Sequence, residues 1–229
     1  MTRWTLPLVA ALGIALGALG MTLVRPSADA RLVRETLLAN PEIIPEAMTR
    51  LQEREASRAV AAQGPAITRP YKGAFIGNPQ GDVTVVEFFD YNCGYCRASL
   101  PAIRELVASD PKVRVVFREL PILAESSRTA ARASLAAAAQ NRYAAFHTAL
   151  YGGGRVTDAS IAAAARSAGV DLSRADQAAA DAEIARNAEA AGKLGLTGTP
   201  SWVIGSRVVS GALPLPELQA AIAAARAAR

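Results

Sequence analysis

Histidine, cysteine and methionine are scarce in this 229-residue chain: one His, two Cys and three Met. A structural zinc site takes four ligands, usually cysteine and histidine. The single histidine, His147, lies far along the chain from the cysteines, so one chain cannot assemble a complete protein-only zinc site. The absence of Met/His-rich tracts argues against dedicated copper storage. Aromatic residues make up only 5% of the sequence, and no basic run is interleaved with them, which leaves nucleic-acid binding little support. No internal repeat is evident.

Charge is present but dispersed. Of the formal +5, residues 1–30 carry +1 (Arg3 and Arg25 against Asp29), leaving +4 for the remainder. The N-terminus is organised differently from everything after it. Arg3 precedes an almost uninterrupted apolar stretch from Trp4 to Val24, and Arg25-Pro26-Ser27-Ala28-Asp29-Ala30 follows. Pro26 and the Ala28-Asp29-Ala30 pattern fit a cleaved signal peptide, while the apolar length also suffices for a membrane anchor. Either reading exports the rest of the chain to a compartment where a disulfide persists, a bacterial periplasm being the natural one.

The two cysteines stand three apart in Phe88-Phe89-Asp90-Tyr91-Asn92-Cys93-Gly94-Tyr95-Cys96. A Cys-X-X-Cys that follows a β-branched run and opens a helix is the arrangement of a dithiol–disulfide redox site. The helix start offers free N–H groups and the positive end of the dipole, up to about 2 kcal/mol in favour of a thiolate. A merely structural disulfide is disfavoured, because so short a loop removes little entropy from the unfolded chain. Binding of a soft metal such as copper(I) by the reduced pair is the alternative.

From Asp29 to about Ala62 the chain reads as charged and helical, broken at Asn40-Pro41, with Ile44, Met48 and Leu51 in one stripe. That stripe either docks on its own domain or pairs with the same stripe of another copy. Gln63-Gly64-Pro65 reads as a linker. The compact domain begins near Pro70. Strands are expected at Val83–Phe89 and Val113–Phe117, joined by a helix over Gly94–Ser109 that contains Pro101; the right-handed crossover makes the strands parallel. Residues 126–194 form an Ala-rich helical block punctuated by Gly152-Gly153-Gly154, Gly169 and cap-like Thr157, Asp158 and Ser173. Short strands at Ser201–Ile204 and Val208–Ser210 and a final helix from about Pro214 complete the order.

This order, with Glu87-Phe88-Phe89, Cys93-Gly94-Tyr95-Cys96, the inserted helices and Gly198-Thr199-Pro200 before Trp202-Val203-Ile204, resembles the DsbA-like branch of the thioredoxin superfamily. The resemblance runs from roughly Phe75 to the C-terminus. It implies an α/β thioredoxin fold with a helical insertion over about 126–194 within a domain at 70–229. An N-terminal helical segment at 31–62, preceded by the signal peptide or anchor at 1–30, would come before that domain. The segment from Leu38 through Gln52 is similar to the oligomerising helix of ScsC-type members, which implies a homo-oligomer.

On that resemblance Cys93 is the nucleophile and Cys96 the resolving thiol. Glu87 takes the place of the buried acid that exchanges a proton with Cys96, although a lone acid in a strand can equally face solvent. Pro200 is expected to be cis, against an ordinary trans loop proline, with Thr199 pairing with an extended substrate and lying near the Cys93 sulfur. Gly94 removes bulk beside the sulfurs, and Tyr95 offers substrate a hydroxyl or ring face unless it is a plain surface aromatic. No cofactor is implied. The implied partners are cysteine-containing exported clients and a membrane redox protein. Gly94-Tyr95 together with Thr199 is nearer the DsbC- and DsbG-type isomerases, whereas the helical insertion is DsbA-like. Isomerase or reductase work therefore leads, disulfide donation is the alternative, and a copper-binding or chaperone-like role is a third.

Overall fold

A computed structural model of the chain describes residues 29–228. All but Asp29 and Ala30 of the expected signal or anchor segment lies outside those residues, and these two are helical. Among the described residues no helix is long and apolar enough to cross a membrane. Contacts divide the chain between Gln52 and Glu53.

The first unit holds helical residues 29–39 (α1) and the opening turns of α2 (Ile43–Gln63). Its helices rely on local pairing. Arg31 meets Glu35 at 3.2 Å and Arg50 meets Glu46 at 2.6 Å, one helical turn apart and worth about 0.3–0.5 kcal/mol each. Ile44, Met48 and Leu51 are exposed, as are Leu32, Val33 and Leu38.

The second unit is built on a five-stranded sheet in the order β1-β3-β2-β4-β5, comprising β1 (Phe75–Gly77), β2 (Val83–Phe89), β3 (Val113–Glu119), β4 (Ser201–Ile204) and β5 (Arg207–Ser210). Central β2 pairs parallel with β3 and antiparallel with β4. Because helices cover both faces, β2 and β3 need apolar residues at successive positions rather than alternate ones. Val85 and Phe89 of β2 join Val113, Val115 and Phe117 of β3 in one core, against α3 (Gly94–Ser109) and α8 (Leu215–Ala227). Val86, Phe88, Val116 and Val203 join the other, with Val60, Ile67 and Ala190, Ala191 and Leu194. This is the thioredoxin arrangement with its helical insertion.

The insertion comprises α4 (Glu125–Ala139), α5 (Tyr143–Gly152), α6 (Asp158–Ala168), a 3-10 turn at Leu172–Arg174 and α7 (Gln177–Lys193). Thr157 caps α6 in a reciprocal box with Ser160, and Gly169 closes that helix in the left-handed conformation, which glycine adopts without a Cβ penalty. Ser173 does not cap a helix; Asp171 caps the 3-10 turn and Asp176 caps α7. The carboxylates win because each accepts from a backbone N–H while Ser173 lies inside the turn.

Three other expectations change. Strand β3 continues through Arg118 and Glu119, two charged residues that end an apolar run in the sequence but stay in register opposite Phe88 and Phe89. The three-residue edge strand β1 was too short for a sequence pattern to reveal. The expected linker is fixed structure. Helix α2 runs to Gln63, a 3-10 turn follows at Gly64–Ala66, and Arg118 donates to the carbonyls of Ala66, Ile67 and Arg69.

Candidate active site

Strand β2 ends at Phe89, and the chain turns through Asp90-Tyr91-Asn92 to reach Cys93, the N-cap of α3. The turn is held by its own side chains. Asp90 is buried, and its carboxylate accepts from the backbone N–H groups of Asn92 at 2.8 Å, Ile122 at 2.9 Å and Leu123 at 3.0 Å. The Asn92 amide donates to the hydroxyls of Ser126 and Ser127 at the start of α4. Arg97 clasps the far side, donating to the carbonyls of Tyr151 and Gly154 with its guanidinium over the Tyr151 ring. These three residues fix the Cys-X-X-Cys loop. The sequence offered one hint of them, the polar residues directly flanking the cysteines.

Cys93 sits where an unpaired helix N–H needs an acceptor: its sulfur accepts from the Cys96 N–H at 3.4 Å. The same contact brings the first sulfur to the positive end of α3. Cys93 is 6% exposed and Cys96 1%, so the first cysteine is the more reachable. Burial pushes the Cys96 thiol far up, and the nearby Glu87 charge adds to it. The first sulfur is therefore the one a partner molecule can reach, while burial holds the proton on the second.

Across the sulfurs lies the loop before β4. The Thr199–Pro200 peptide bond is cis, and the Cys93 thiol donates to the Thr199 carbonyl at 3.1 Å. The carbonyl, not the hydroxyl, makes this contact; Thr199 Oγ1 is buried without a partner. Gly94 and Tyr95 face outward. A Cβ at Gly94 would meet nothing within 4 Å, so the space next to Cys93 in the loop is open. Tyr95 is 71% exposed.

Glu87 does not face solvent. It lies in the middle of β2, opposite Phe117 on one side and Trp202 on the other, and is 1% exposed. Burial raises its carboxyl well above the ordinary 4.5, and the Cys93 charge raises it further. Beneath the site lies a packed aromatic group: Phe89, Tyr91, Phe117, Tyr143 and Tyr151 surround His147, and Phe146 packs on Tyr91. Half of the chain's twelve Phe, Tyr and Trp residues are spent here. His147 Nδ1 is 2.9 Å from the Tyr91 hydroxyl, and burial drops its pKa to about 3. It is therefore neutral throughout physiological pH, and its place is structural.

Residues 84–223 match the family model of the DSBA-like thioredoxin domain, and residues 30–58 match that of the copper resistance protein ScsC N-terminal domain. Among solved structures, a thioredoxin-like oxidoreductase from Silicibacter pomeroyi is 43% identical with a TM-score of 0.67, covering 72% of this chain and 99% of that one. A periplasmic thioredoxin-like protein from Salmonella enterica serovar Typhimurium is 32% identical with a TM-score of 0.66, covering 71% and 95%. ScsC of Proteus mirabilis in a transitional conformation is 29% identical with a TM-score of 0.69, covering 90% and 99%. The chain spans about a quarter of the length of the curated relatives it matches: the Na(+)/H(+) antiporter NhaA 3 of Salinispora tropica is 32% identical over 156 residues, 65% of this chain and 24% of that protein.

Proposed function

The chain belongs to the DSBA-like thioredoxin family, and on that premise we propose that it is a periplasmic protein thiol–disulfide oxidoreductase working through Cys93 and Cys96. Reduction or isomerisation of non-native disulfides is its leading task. The observation that carries this reading is the pairing of an N-cap thiol with a buried one, set against the Thr199 carbonyl and beside open space at Gly94.

The Cys93 thiolate attacks one sulfur of a client disulfide. An S–S bond forms between Cys93 and the client, and the other client sulfur leaves as a thiolate. Cys96 then passes its proton toward Glu87 and attacks the Cys93 sulfur. The mixed disulfide breaks, the second client thiolate leaves, and the site is left as a Cys93–Cys96 disulfide. Two electrons have moved from the dithiol to the client. In isomerisation the freed client thiolate first attacks a second disulfide of the client, and the different thiolate released there attacks the client sulfur of the mixed disulfide. A new client disulfide forms, Cys93 leaves as a thiolate and the dithiol is regenerated with no net electron transfer. Thr199 and Tyr95 serve as the surface along which an extended client lies.

The exposed stripe Ile44, Met48 and Leu51, inside the segment that matches the ScsC N-terminal domain, supports a homo-oligomer that gathers several sites around one client. Net donation of disulfides is the runner-up, supported by the DsbA-like helical insertion. Copper(I) binding by the reduced pair takes its support from the copper resistance named in the N-terminal family.

Reactivation of a scrambled multi-disulfide protein, run beside oxidation of the same protein fully reduced, tests the reading. Reactivation is expected from the reduced protein, with little oxidation from the oxidised form. Efficient oxidation without reactivation would establish the donor reading instead, and tight copper(I) binding with neither activity would establish the metal reading. Light scattering should give a multiple of the chain mass, falling to one chain when residues 29–52 are deleted.

A further inference from the structure

Glu119, the last residue of β3, has no part in the exchange chemistry described above, and yet it is buried as completely as Glu87, at 1% exposure. The register relates the two. Glu87 lies opposite Phe117, and Glu119 lies opposite Phe89, so both carboxyls project to the same face of the sheet as diagonal neighbours. Such neighbours sit about 7–8 Å apart at their backbones. One oxygen of each, Glu87 Oε1 and Glu119 Oε1, is buried without a hydrogen-bond partner.

The groups around them are an acid-rich, cation-free set. Cys93 and Cys96 approach from α3, Asp90 and Tyr91 from the turn, Ser134 from α4, and Tyr143, His147 and Tyr151 from α5. The Asp90 carboxyl accepts from three backbone N–H donors. The cation Arg104 of α3 acts on His147, but among the described residues no cation acts on either glutamate. Burial raises the Glu119 carboxyl well above 4.5; the Ser134 hydroxyl lowers it, while Asp90 and Glu87 push it further up.

We propose that Glu87 and Glu119 titrate as one unit, holding a single proton between them across neutral pH, so that Glu119 is the positioning residue for the proton that Glu87 exchanges with Cys96. The proposal rests on the exchange reading only for its use of Cys96. The physical basis is that two carboxyls in a low-dielectric pocket without a cation cannot both ionise readily, so the charge on one holds the proton on the other. The pair then contains an acid and a base at once. Cys96 can lose its proton to the base in the resolving step, and the acid remains to compensate when charge returns to the sulfurs. Arg118 cannot relieve the pair: its guanidinium is committed to carbonyls and Asn187 on the opposite face.

The test is a pH titration of the intact protein with 13C-labelled glutamate side chains, followed by NMR without any client. Glu87 and Glu119 should each show a two-step curve with shared midpoints. In Glu119→Gln the upper step of Glu87 should vanish, and in Glu87→Gln the upper step of Glu119 should vanish, each leaving one step about one pH unit or more below the lost one. The pH profile of Cys96-dependent resolution should lose its upper inflection in Glu119→Gln. Independent single-step curves in the unsubstituted protein would overturn the proposal, and this measurement decides even if a variant fails to fold. A Glu87 curve unchanged by Glu119→Gln would overturn it equally. Coupled curves in a protein inert toward disulfides would sink the exchange reading and leave the pair standing.

Discussion

Glu87 and Glu183 are each more than nine-tenths buried, on opposite sides of one sheet, and only Glu183 has cations beside it. Arg118 lies 3.6 Å from Glu183, and Arg186 lies 2.7 Å from it. Arg118 also donates to Asn187, which in turn donates to the Glu119 carbonyl. On that side the carboxylate has two guanidinium partners and Arg118 is held by four further acceptors, so the cluster ties α7 and the segment after α2 to β3. On the cysteine side no cation among the described residues acts on Glu87 or Glu119, and each keeps an orphaned oxygen. A buried carboxylate with a cation is a fastener. One without a cation is unstable as an anion, and its carboxyl is held well above the ordinary carboxylate range.

The comparison breaks first at the sulfurs. Cys93→Ser should abolish exchange entirely, while Cys96→Ser should accumulate mixed disulfides with clients, visible as covalent adducts on non-reducing gels. Adducts formed by the Cys93→Ser protein instead would reverse the two roles. Next comes the fastener. Arg118→Ala strips one of the two cations from Glu183 and the donor from Asn187 and three backbone carbonyls, at an expected cost of about 3 kcal/mol in urea unfolding. The exchange rate of the folded fraction with a small disulfide should not change.

Glu87→Gln should slow the resolving step about ten- to a hundred-fold and remove its pH dependence, leaving the first attack by Cys93 nearly intact. Stability should move the other way. The folded-state pKa of Glu87 lies above its unfolded value, so the native protein binds the extra proton and loses stability as pH rises above about 4.5 toward the raised pKa. The slope is about 1.4 kcal/mol per pH unit in that window. The Gln variant lacks this loss and should be the more stable protein at neutral pH, with the difference vanishing in acid; a variant less stable at every pH would contradict it.

The smallest effect belongs to Arg226. It grips Asp82 and Asp110 with bonds of 2.7–3.2 Å but is about a third exposed. Arg226→Ala should cost about 1 kcal/mol, measured by thermal unfolding, with no change at the site.

Much of this was legible in the residues. Strand β2, helix α3, strand β4 and the chain order follow from apolar runs, a Cys-X-X-Cys at a strand–helix junction and proline and glycine punctuation. The second strand was cut two residues short because Arg118 and Glu119 look like the end of an apolar run. Arg118 is satisfied by carbonyls about fifty residues away in the chain, while Glu119 has Ser134 beside it and keeps one oxygen without a partner. Beyond their polar character beside the cysteines, nothing in the chain marked Asp90, Asn92 and Arg97 as supports, because apart from the Asp90–Asn92 turn bond their partners lie 32 to 57 residues away.

By itself the sequence determined the cysteine pair, its position at a helix start and the apolar stripe Ile44, Met48 and Leu51, since each depends on residues close together in the chain. Only the tertiary structure decided which acids are buried, which of them meets a cation, and that the Thr199 carbonyl faces Cys93. Those are matters of which strands lie side by side, and a carboxyl's proton affinity depends on the water it loses and the charges it meets, neither of which its own neighbours in the chain supply.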